Sequence, residues 1–330
     1  MARTVVLGCG GSLPPRTVGN DALAGPLGVD AATLAARTGV TTRHWVEPGI
    51  GPSDLAREAT VTALAEAGLT TADVDFIVFA TMTPDIAFPG SGCFLQRKLG
   101  AGTTPALDVR AQCAGFLFAL VTADRLIQAG MAQRVLVAGG EVHSTALDCS
   151  PRGAGATPYF GDGAGVVLLG RGETPGLIAS ALHSDPDRYQ RFWCEFPSSR
   201  NYPARMERSH LHEGRHYYVV DAEGLAEQAE TTLAASITDV LAQAGVGPEA
   251  PALTIVHYLD PRVARRAAAR AGLADARVVA PAETFGHVAG GGIPIALAQA
   301  VEAGRVGRGD LVCCVAFGAG LCWGAALLGL

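Results

Sequence analysis

The chain has 330 residues, of which 49% are hydrophobic and 17% are charged, and its formal net charge is −6. This length allows two packed halves but not several independent domains, and the negative charge favours neither nucleic acid nor an anionic membrane surface as a partner. No apolar run reaches the roughly 18 to 20 residues that cross a bilayer, and residues 1–8 lack the features of a signal peptide, so we expect a cytoplasmic protein.

Strand and helix signals alternate through the first half of the chain, which is typical of a layered α/β fold. A helix capped by Ser53 is expected to end at Gly68, where glycine stops it. A later, long apolar helix is expected to begin at Cys113 and to end before Gly130. The predicted strands are residues 5–7, 76–80, 106–109, 135–138 and 165–169, and the predicted helices are 53–68, 92–99 and 113–128.

The second half repeats that order of elements, which indicates an internal duplication, so we divide the chain into halves 1–172 and 173–330. Pro294 falls in the first turn of its helix, where proline is tolerated. Residues 186–215 are rich in arginine, aromatics and proline without a clear period, and a loop this long is either a functional lid or disordered. The predicted helices are 225–244, 262–271 and one from about 292, and the predicted strands are 254–257, 311–317 and 322–328.

The eight cysteines are scattered, mostly within apolar stretches, and no two of them form a CxxC pair. Disulfide scaffolds and zinc sites have a different spacing. We therefore expect mostly buried, reduced thiols, with no metal and no cofactor.

Cys113 lies where a predicted strand ends and a buried helix begins. The positive end of the helix dipole favours a thiolate there, and the N–H groups of the first turn point towards anything bonded to the sulfur. By position alone, Cys113 is equally well interpreted as a nucleophile or as one more buried cysteine.

Two histidines occupy positions where α/β proteins gather their sites. His257 ends a predicted strand, and His287 lies in a glycine-rich entry to a helix. Cysteine with one or two histidines is the combination that covalent acyl transfer requires. The turn 316–320, made of small residues, brings backbone N–H groups close to a ligand, which is how an oxyanion hole is built.

Several segments, in the same order and spacing, resemble the ketoacyl-acyl-carrier-protein synthase III family over essentially the whole chain. The resemblance implies a thiolase-like, five-layered αβαβα fold of two similar halves that works as a homodimer. It identifies Cys113 as the nucleophile, places Phe88 near the dimer contact and the acyl pocket, and assigns the oxyanion hole to the N–H groups of Cys113 and Ala319. The segments are 87–89, 108–116, 160–165, 183–185 and 316–324.

The catalytic positions do not match the pattern of that family in full. Members that form carbon–carbon bonds have asparagine where this chain has His287, although histidine can also donate a hydrogen bond to an enolate. A related acyltransferase branch has a similar histidine motif, but its aspartate is Gly292 here. Asp260, three residues after His257, either orients a histidine or simply solvates the end of the strand.

The donor site departs as well. Members that use coenzyme A stack the adenine between a tryptophan and an arginine; Arg37 matches the arginine, but the tryptophan position is Thr33. Arg152 matches a second arginine on the adenine side. Loss of a stacking face weakens base binding by roughly 1 to 3 kcal/mol, which favours an acyl carrier protein as the donor over acyl-CoA.

A basic helix supports a carrier-protein partner. Its arginines have spacings that share one helix face, and Arg262 and Arg270 match positions that dock the acidic carrier protein in the family. The alternative is an ordinary solvated basic face. The four arginines are Arg262, Arg265, Arg266 and Arg270.

The leading hypothesis is therefore a ketosynthase III-like acyltransferase of polyketide or other secondary-metabolite biosynthesis, with Cys113, His257 and His287 as catalytic residues. It passes the acyl group to a small-molecule or carrier-bound acceptor. The alternative is a 3-oxoacyl-carrier-protein synthase III that condenses the acyl group with malonyl-carrier protein and releases carbon dioxide. A third possibility is a non-catalytic subunit of a heterodimer.

Overall fold

The computed structural model of the chain describes residues 3–174 and 176–330. Residues 1, 2 and 175, which the two predicted halves include, lie outside the described residues. The strands are β1 Arg3–Ser12, β2 Thr17–Gly19, β3 Thr42–His44, β4 Phe76–Ala80, β5 Ala106–Val109, β6 Arg134–Glu141, β7 Gly163–Gly172, β8 Leu177–Ser184, β9 Phe192–Trp193, β10 Val219–Val220, β11 Leu253–His257, β12 Val278–Val279, β13 Leu311–Gly318 and β14 Cys322–Gly329. The α-helices are α1 Asn20–Leu27, α2 Ala31–Thr38, α3 Pro52–Ala67, α4 Ser91–Leu99, α5 Gly115–Gln128, α6 Arg208–Glu213, α7 Ala222–Ala244, α8 Pro261–Arg270, α9 Ala282–Phe285 and α10 Gly292–Glu302.

Two five-stranded sheets share one topology. The strand order is β1-β7-β6-β4-β5 in the first sheet and β8-β14-β13-β11-β12 in the second. In both sheets the last three strands of that order are parallel to one another, and the first two are paired antiparallel. Along the chain, the predicted boundary between residues 172 and 173 falls after β7, in the first sheet, and before β8, in the second. The division into halves stays a prediction.

The helices form three layers around the two sheets. Helices α3 and α4 cover the outer face of the first sheet, and α7 and α8 cover that of the second. Helices α5 and α10 lie between the sheets and contact both, which is why their sequences are apolar on nearly every face. This arrangement is the five-layered αβαβα fold that the sequence predicted, and the fold class is confirmed.

Local differences from the predicted elements have physical reasons. Helix α3 is capped by the backbone at Gly51, with Pro52 in its first turn, so Ser53 is not its cap as we predicted. Strand β8 and helices α1 and α2 were not predicted. The two helices are only eight residues each, and helices this short depend on tertiary packing more than on their own sequence.

The segment 186–215 is ordered and contains strand β9 and helix α6. Phe192 and Phe196 anchor it because their side chains are buried. Arg215 adds an ion pair to Glu195 at 2.5 Å. Within residues 3–174 and 176–330, no helix is long and apolar enough to span a membrane.

Candidate active site

Cys113 lies in a single 3₁₀ turn between β5 and α5, and its side chain is buried. Helix α5 begins two residues later, at Gly115, and not at Cys113 as we predicted. The preceding residue, Gln112, has a φ of 45°, a conformation that costs a non-glycine residue of order 1–3 kcal/mol and is concentrated at functional sites. The strained turn fixes the direction in which the Cys113 thiol points.

His287 contacts that thiol directly. Its Nε2 lies 3.2 Å from the Sγ of Cys113, although the residues are 174 positions apart. Two hydrogen bonds hold the backbone of His287. Its N–H donates to the carbonyl of Tyr159, and its carbonyl accepts from the N–H of Gly161. The histidine in the asparagine position therefore has the geometry of a proton partner for the sulfur.

His257 lies at the end of β11 and stacks on His287. The ring centroids are 4.5 Å apart and the planes differ by 3°. Among the described residues, neither ring nitrogen of His257 meets the full geometry of a hydrogen bond, although the Ala289 carbonyl is near enough to affect the ring. At least one ring nitrogen is therefore available to a substrate. The three residues predicted to be catalytic thus meet at one buried point.

Burial dominates the protonation of this group. It raises the pKa of the Cys113 thiol to about 12, while the N–H of Ala319 and that of Cys113 itself have a smaller, lowering effect. Burial lowers the pKa of His257 to about 4, against a weaker opposing effect of the Ala289 carbonyl. It also holds the pKa of His287 well below its usual value, and the neighbouring histidines add to this effect.

The resting site therefore holds a neutral thiol and neutral imidazoles at pH 7. The N–H groups that face the sulfur favour a thiolate, as we expected, but desolvation of the sulfur outweighs them and raises the pKa overall. A neutral imidazole can accept the thiol proton at the moment of attack.

The turn after β13 approaches the sulfur closely. The N–H of Ala319 is near enough to affect the thiol, as the predicted oxyanion hole requires. A Cβ on the neighbouring Gly318 would lie 2.3 Å from the Sγ of Cys113, so only glycine fits there. The assignment of the oxyanion hole to Cys113 and Ala319 stays a prediction.

The structure shows what surrounds Gly292, and it settles the alternatives that the sequence left open for Asp260. A Cβ on Gly292 would lie 2.3 Å from the Cε1 of His257, so in this chain the imidazole occupies the space that an aspartate side chain would need. The carboxylate of Asp260 accepts from the N–H of Arg262 at the start of α8 and pairs with its guanidinium. Asp260 therefore caps a helix and does not orient a histidine.

Glu141, at the end of β6, is a site residue that the sequence reasoning missed. Its buried carboxylate accepts hydrogen bonds from Thr83, from the N–H of Met82 and from the N–H of Gly290. Burial raises the pKa of Glu141 to about 7, and these hydrogen bonds oppose the rise. The carboxylate joins the loop after β4 to the glycine-rich loop of His287, and its position at a strand end was the available signal.

The predicted donor residues Arg37 and Arg152 line two neighbouring cavities, whose walls share Gly155 and Val220. Arg37 lines a groove of about 770 Å³ together with Arg262 and Arg266. Arg152 lines a smaller cavity of about 330 Å³, where it pairs with Asp148 at 2.5 Å. The side chain of Phe88 is 76% exposed. The roles predicted for Arg37, Arg152 and Phe88 stay predictions.

The arginines of α8 are paired with carboxylates. Arg266 bonds to Glu230 at 2.8 Å, and Arg270 lies 4.0 Å from the same residue. Arg262 also donates to two carbonyls of α2, so it joins two helices. Because these pairs neutralise much of the charge, the basic face is weaker than the sequence indicated, and its docking role stays a prediction.

Comparisons with known proteins point to one family. The model of the family "3-oxoacyl-[acyl-carrier-protein (ACP)] synthase III" matches residues 107–186, and that of its C-terminal domain matches residues 241–330. A β-ketoacyl-[acyl-carrier-protein] synthase III of Rhodobacter capsulatus is 37% identical, over 99% of this chain and 98% of that protein.

Solved structures give the same result. A 3-oxoacyl-[acyl-carrier-protein] synthase III from Aquifex aeolicus is 30% identical with a TM-score of 0.89, over 99% of this chain and 100% of the other. The priming β-ketosynthase from the R1128 polyketide biosynthetic pathway is 25% identical with a TM-score of 0.91, over 99% and 96%.

Proposed function

The chain belongs to the 3-oxoacyl-[acyl-carrier-protein] synthase III family, and we propose that it takes an acyl group from a thioester onto Cys113 and passes it to a nucleophilic acceptor. Its relatives are ketosynthase III enzymes, so it is a transferase of the acyltransferase and condensing class. The contact of 3.2 Å between the Sγ of Cys113 and the Nε2 of His287 carries the proposal.

The first half-reaction loads the enzyme. The thiol proton of Cys113 moves to Nε2 of His287 while the sulfur attacks the thioester carbonyl. The backbone N–H groups of Cys113 and Ala319 hold the resulting oxyanion. When the tetrahedral intermediate collapses, the carrier thiolate leaves and takes the proton from His287, so the histidine is neutral again and Cys113 carries the acyl group.

The second half-reaction uses the same proton path. An acceptor hydroxyl, amine or thiol gives its proton to His287 as it attacks the Cys113 thioester, and the cysteine recovers that proton as it leaves. Asparagine has no basic nitrogen for this step. A histidine that touches the sulfur therefore favours transfer to a protic acceptor, with His257 as the neighbouring donor to the reacting carbonyl.

A second candidate is decarboxylative condensation, which the stacked pair of histidines favours. Two neutral imidazoles can each donate one N–H to the enolate oxygen that forms when a malonyl thioester loses carbon dioxide. The carbanion then attacks the Cys113 thioester, the cysteine leaves as a thiolate that takes up one proton from solvent, and a 3-oxoacyl product forms.

One experiment separates the two. The enzyme is loaded from an acyl-carrier-protein thioester, malonyl-carrier protein is added, and the Cys113 adduct and carbon dioxide are followed by mass spectrometry. If the adduct persists while the malonyl-carrier protein stays intact, and a hydroxyl or amine acceptor then removes the acyl group, the result supports acyl transfer. Carbon dioxide release with chain extension supports condensation instead. No adduct from any donor contradicts both and leaves a non-catalytic subunit.

The partners follow from the same proposal. We assign the donor to an acyl carrier protein that docks beside Arg37, Arg262, Arg266 and Arg270, with acyl-CoA as the weaker alternative because Thr33 gives adenine no stacking face. The exposed side chain of Phe88 supports a homodimer, which sedimentation of the wild type and of Phe88→Ala tests. The likeness to a polyketide priming enzyme supports a role in polyketide or other secondary-metabolite biosynthesis.

A further inference from the structure

A third histidine lies beside the catalytic group, and the proposed reaction does not use it. His143 follows β6, two residues after Glu141, and its side chain is fully buried. Its Nδ1 lies 3.2 Å from the hydroxyl of Tyr218. Its Nε2 is also buried but has no hydrogen-bond partner among the described residues.

An unpaired buried nitrogen of this kind costs about 1–3 kcal/mol. Most buried polar atoms in proteins are paired, so an unpaired one requires an explanation. A leucine would fill a similar volume without that cost. The contact with Tyr218 accounts for one ring nitrogen of His143, whereas a bound ligand would account for the other.

The position connects His143 to the site of chemistry. Its ring packs on Phe160, with centroids 4.9 Å apart. Phe160 also contacts Tyr218, at 5.1 Å, and His287, edge to face at 5.5 Å. One aromatic ring thus contacts both the pair of His143 and Tyr218 and the imidazole that touches the Cys113 thiol.

Tyr218 also borders open space. It lines a cavity of about 520 Å³ whose wall combines the apolar Met82 and Val142 with charged residues such as Arg110. The N–H of Met82 donates to Glu141, which also accepts from Gly290 in the loop of His287, so this wall adjoins the loop that carries the catalytic histidine. Ligand pockets are typically apolar with a few polar groups that fix the orientation of the ligand, and the hydroxyl of Tyr218 is such a group.

We propose that His143 and Tyr218 recognise a neutral oxygen substituent, a hydroxyl or keto group, on the acyl chain carried by Cys113. The inference rests on the proposed function and adds the substrate class to it: an oxygen-substituted acyl thioester in preference to a plain alkanoyl thioester. The hydroxyl of Tyr218 and the ring N–H or lone pair of His143 provide both donor and acceptor capacity, so either oxygen group can be satisfied.

The pair of His143 and Tyr218 carries no charge at pH 7. Burial lowers the pKa of His143 to about 3, and the nearby His257 adds to this effect. Burial likewise raises the pKa of Tyr218 above its usual range. The pair therefore offers hydrogen bonds and no charge to a ligand, which suits a hydroxyl or keto group.

The test compares two acyl groups that differ by one oxygen. Cys113 acylation by butanoyl and by 3-hydroxybutanoyl pantetheine thioesters, with each enantiomer of the latter, is timed by intact-protein mass spectrometry. We expect the wild type to react with one hydroxylated donor at least about tenfold faster, because a site built to bind a hydroxyl discriminates strongly against its absence. His143→Leu and Tyr218→Phe should each shift this ratio towards butanoyl by tenfold or more.

Tyr202→Phe is the matched control, because the side chain of Tyr202 is 93% exposed, and it should keep the wild-type ratio. The ratio is internal to each variant, so partial loss of folded protein does not change it, and Tyr218→Phe removes only one oxygen. If the wild type reacts equally with both donors, or if neither variant shifts the ratio, the inference is wrong while acyl loading stands. If no donor yields an adduct, the proposed function itself fails.

Discussion

The substitution Gly292→Ala tests the division of labour between the two catalytic histidines. An added Cβ would lie 2.3 Å from Cε1 and 2.5 Å from Nδ1 of His257, whereas ordinary contact begins at 3.4 Å. The ring must therefore move by about 1 Å, and a displacement of that size can slow a reaction by about 10²-fold. His287, which touches the thiol, is not among the atoms that the new methyl group meets.

We therefore expect Gly292→Ala to load Cys113 at close to the wild-type rate and to discharge it about 100-fold more slowly. The backbone at this residue is right-handed helical, with φ −62° and ψ −44°, and alanine is favoured over glycine in a helix by about 1 kcal/mol. Overpacking against the buried His257 lowers stability, so a urea transition of the variant must show that the protein is folded under the assay conditions. Quenched-flow mass spectrometry measures loading with one donor and discharge with the acceptor, and Gly307→Ala is the control, because a Cβ there meets open space.

A double variant decides whether the effect passes through His257. If it does, Gly292→Ala in a His257→Ala background should cause little further loss, because the ring it displaces is already absent. A further 100-fold loss in that background would refute the reasoning, as would wild-type discharge by Gly292→Ala alone. Slow loading with normal discharge would exchange the roles of the two histidines.

Three other predictions follow from the same site. Gly318→Ala should abolish loading of Cys113, because its Cβ would meet the sulfur at 2.3 Å, and a near-native urea transition would show that the protein still folds. His257→Gln should reduce the pH dependence of the free energy of unfolding by up to about 1.4 kcal/mol per pH unit between pH 6.5 and 4. In the wild type this free energy falls on acidification over that range, because the histidine binds a proton in the unfolded chain but stays neutral in the folded one, where its pKa is about 4. Glu141→Gln should have the opposite effect between pH 4.5 and 7. In the wild type the free energy of unfolding falls as pH rises through this range, because the folded carboxyl, with a pKa of about 7, holds a proton that the unfolded one has lost. Urea midpoints at pH 5 and 7 check both signs, and equal changes in both variants would contradict them.

The fold class and the family of this protein could be predicted from its sequence. Helix and strand periodicity indicated the α/β layers, because the pattern of burial along a chain follows the period of each element. The residues around Cys113, His257 and His287 indicated a nucleophile and its proton partners, and their order and spacing indicated the family. These features are local or depend on residue type, so they can be recognised without coordinates.

Tertiary structure decided what depends on distance and exclusion from water. Only the folded chain places His287 against the sulfur and His257 over His287, because loops far apart in sequence meet there. Burial, which no local pattern reveals, outweighs the N–H groups that favour a thiolate at Cys113. The folded chain also pairs the arginines of α8 with carboxylates, and it brings Glu141 close to the loop of His287, although no motif had marked that glutamate as catalytic. The place of His143 in the site stays part of our proposal.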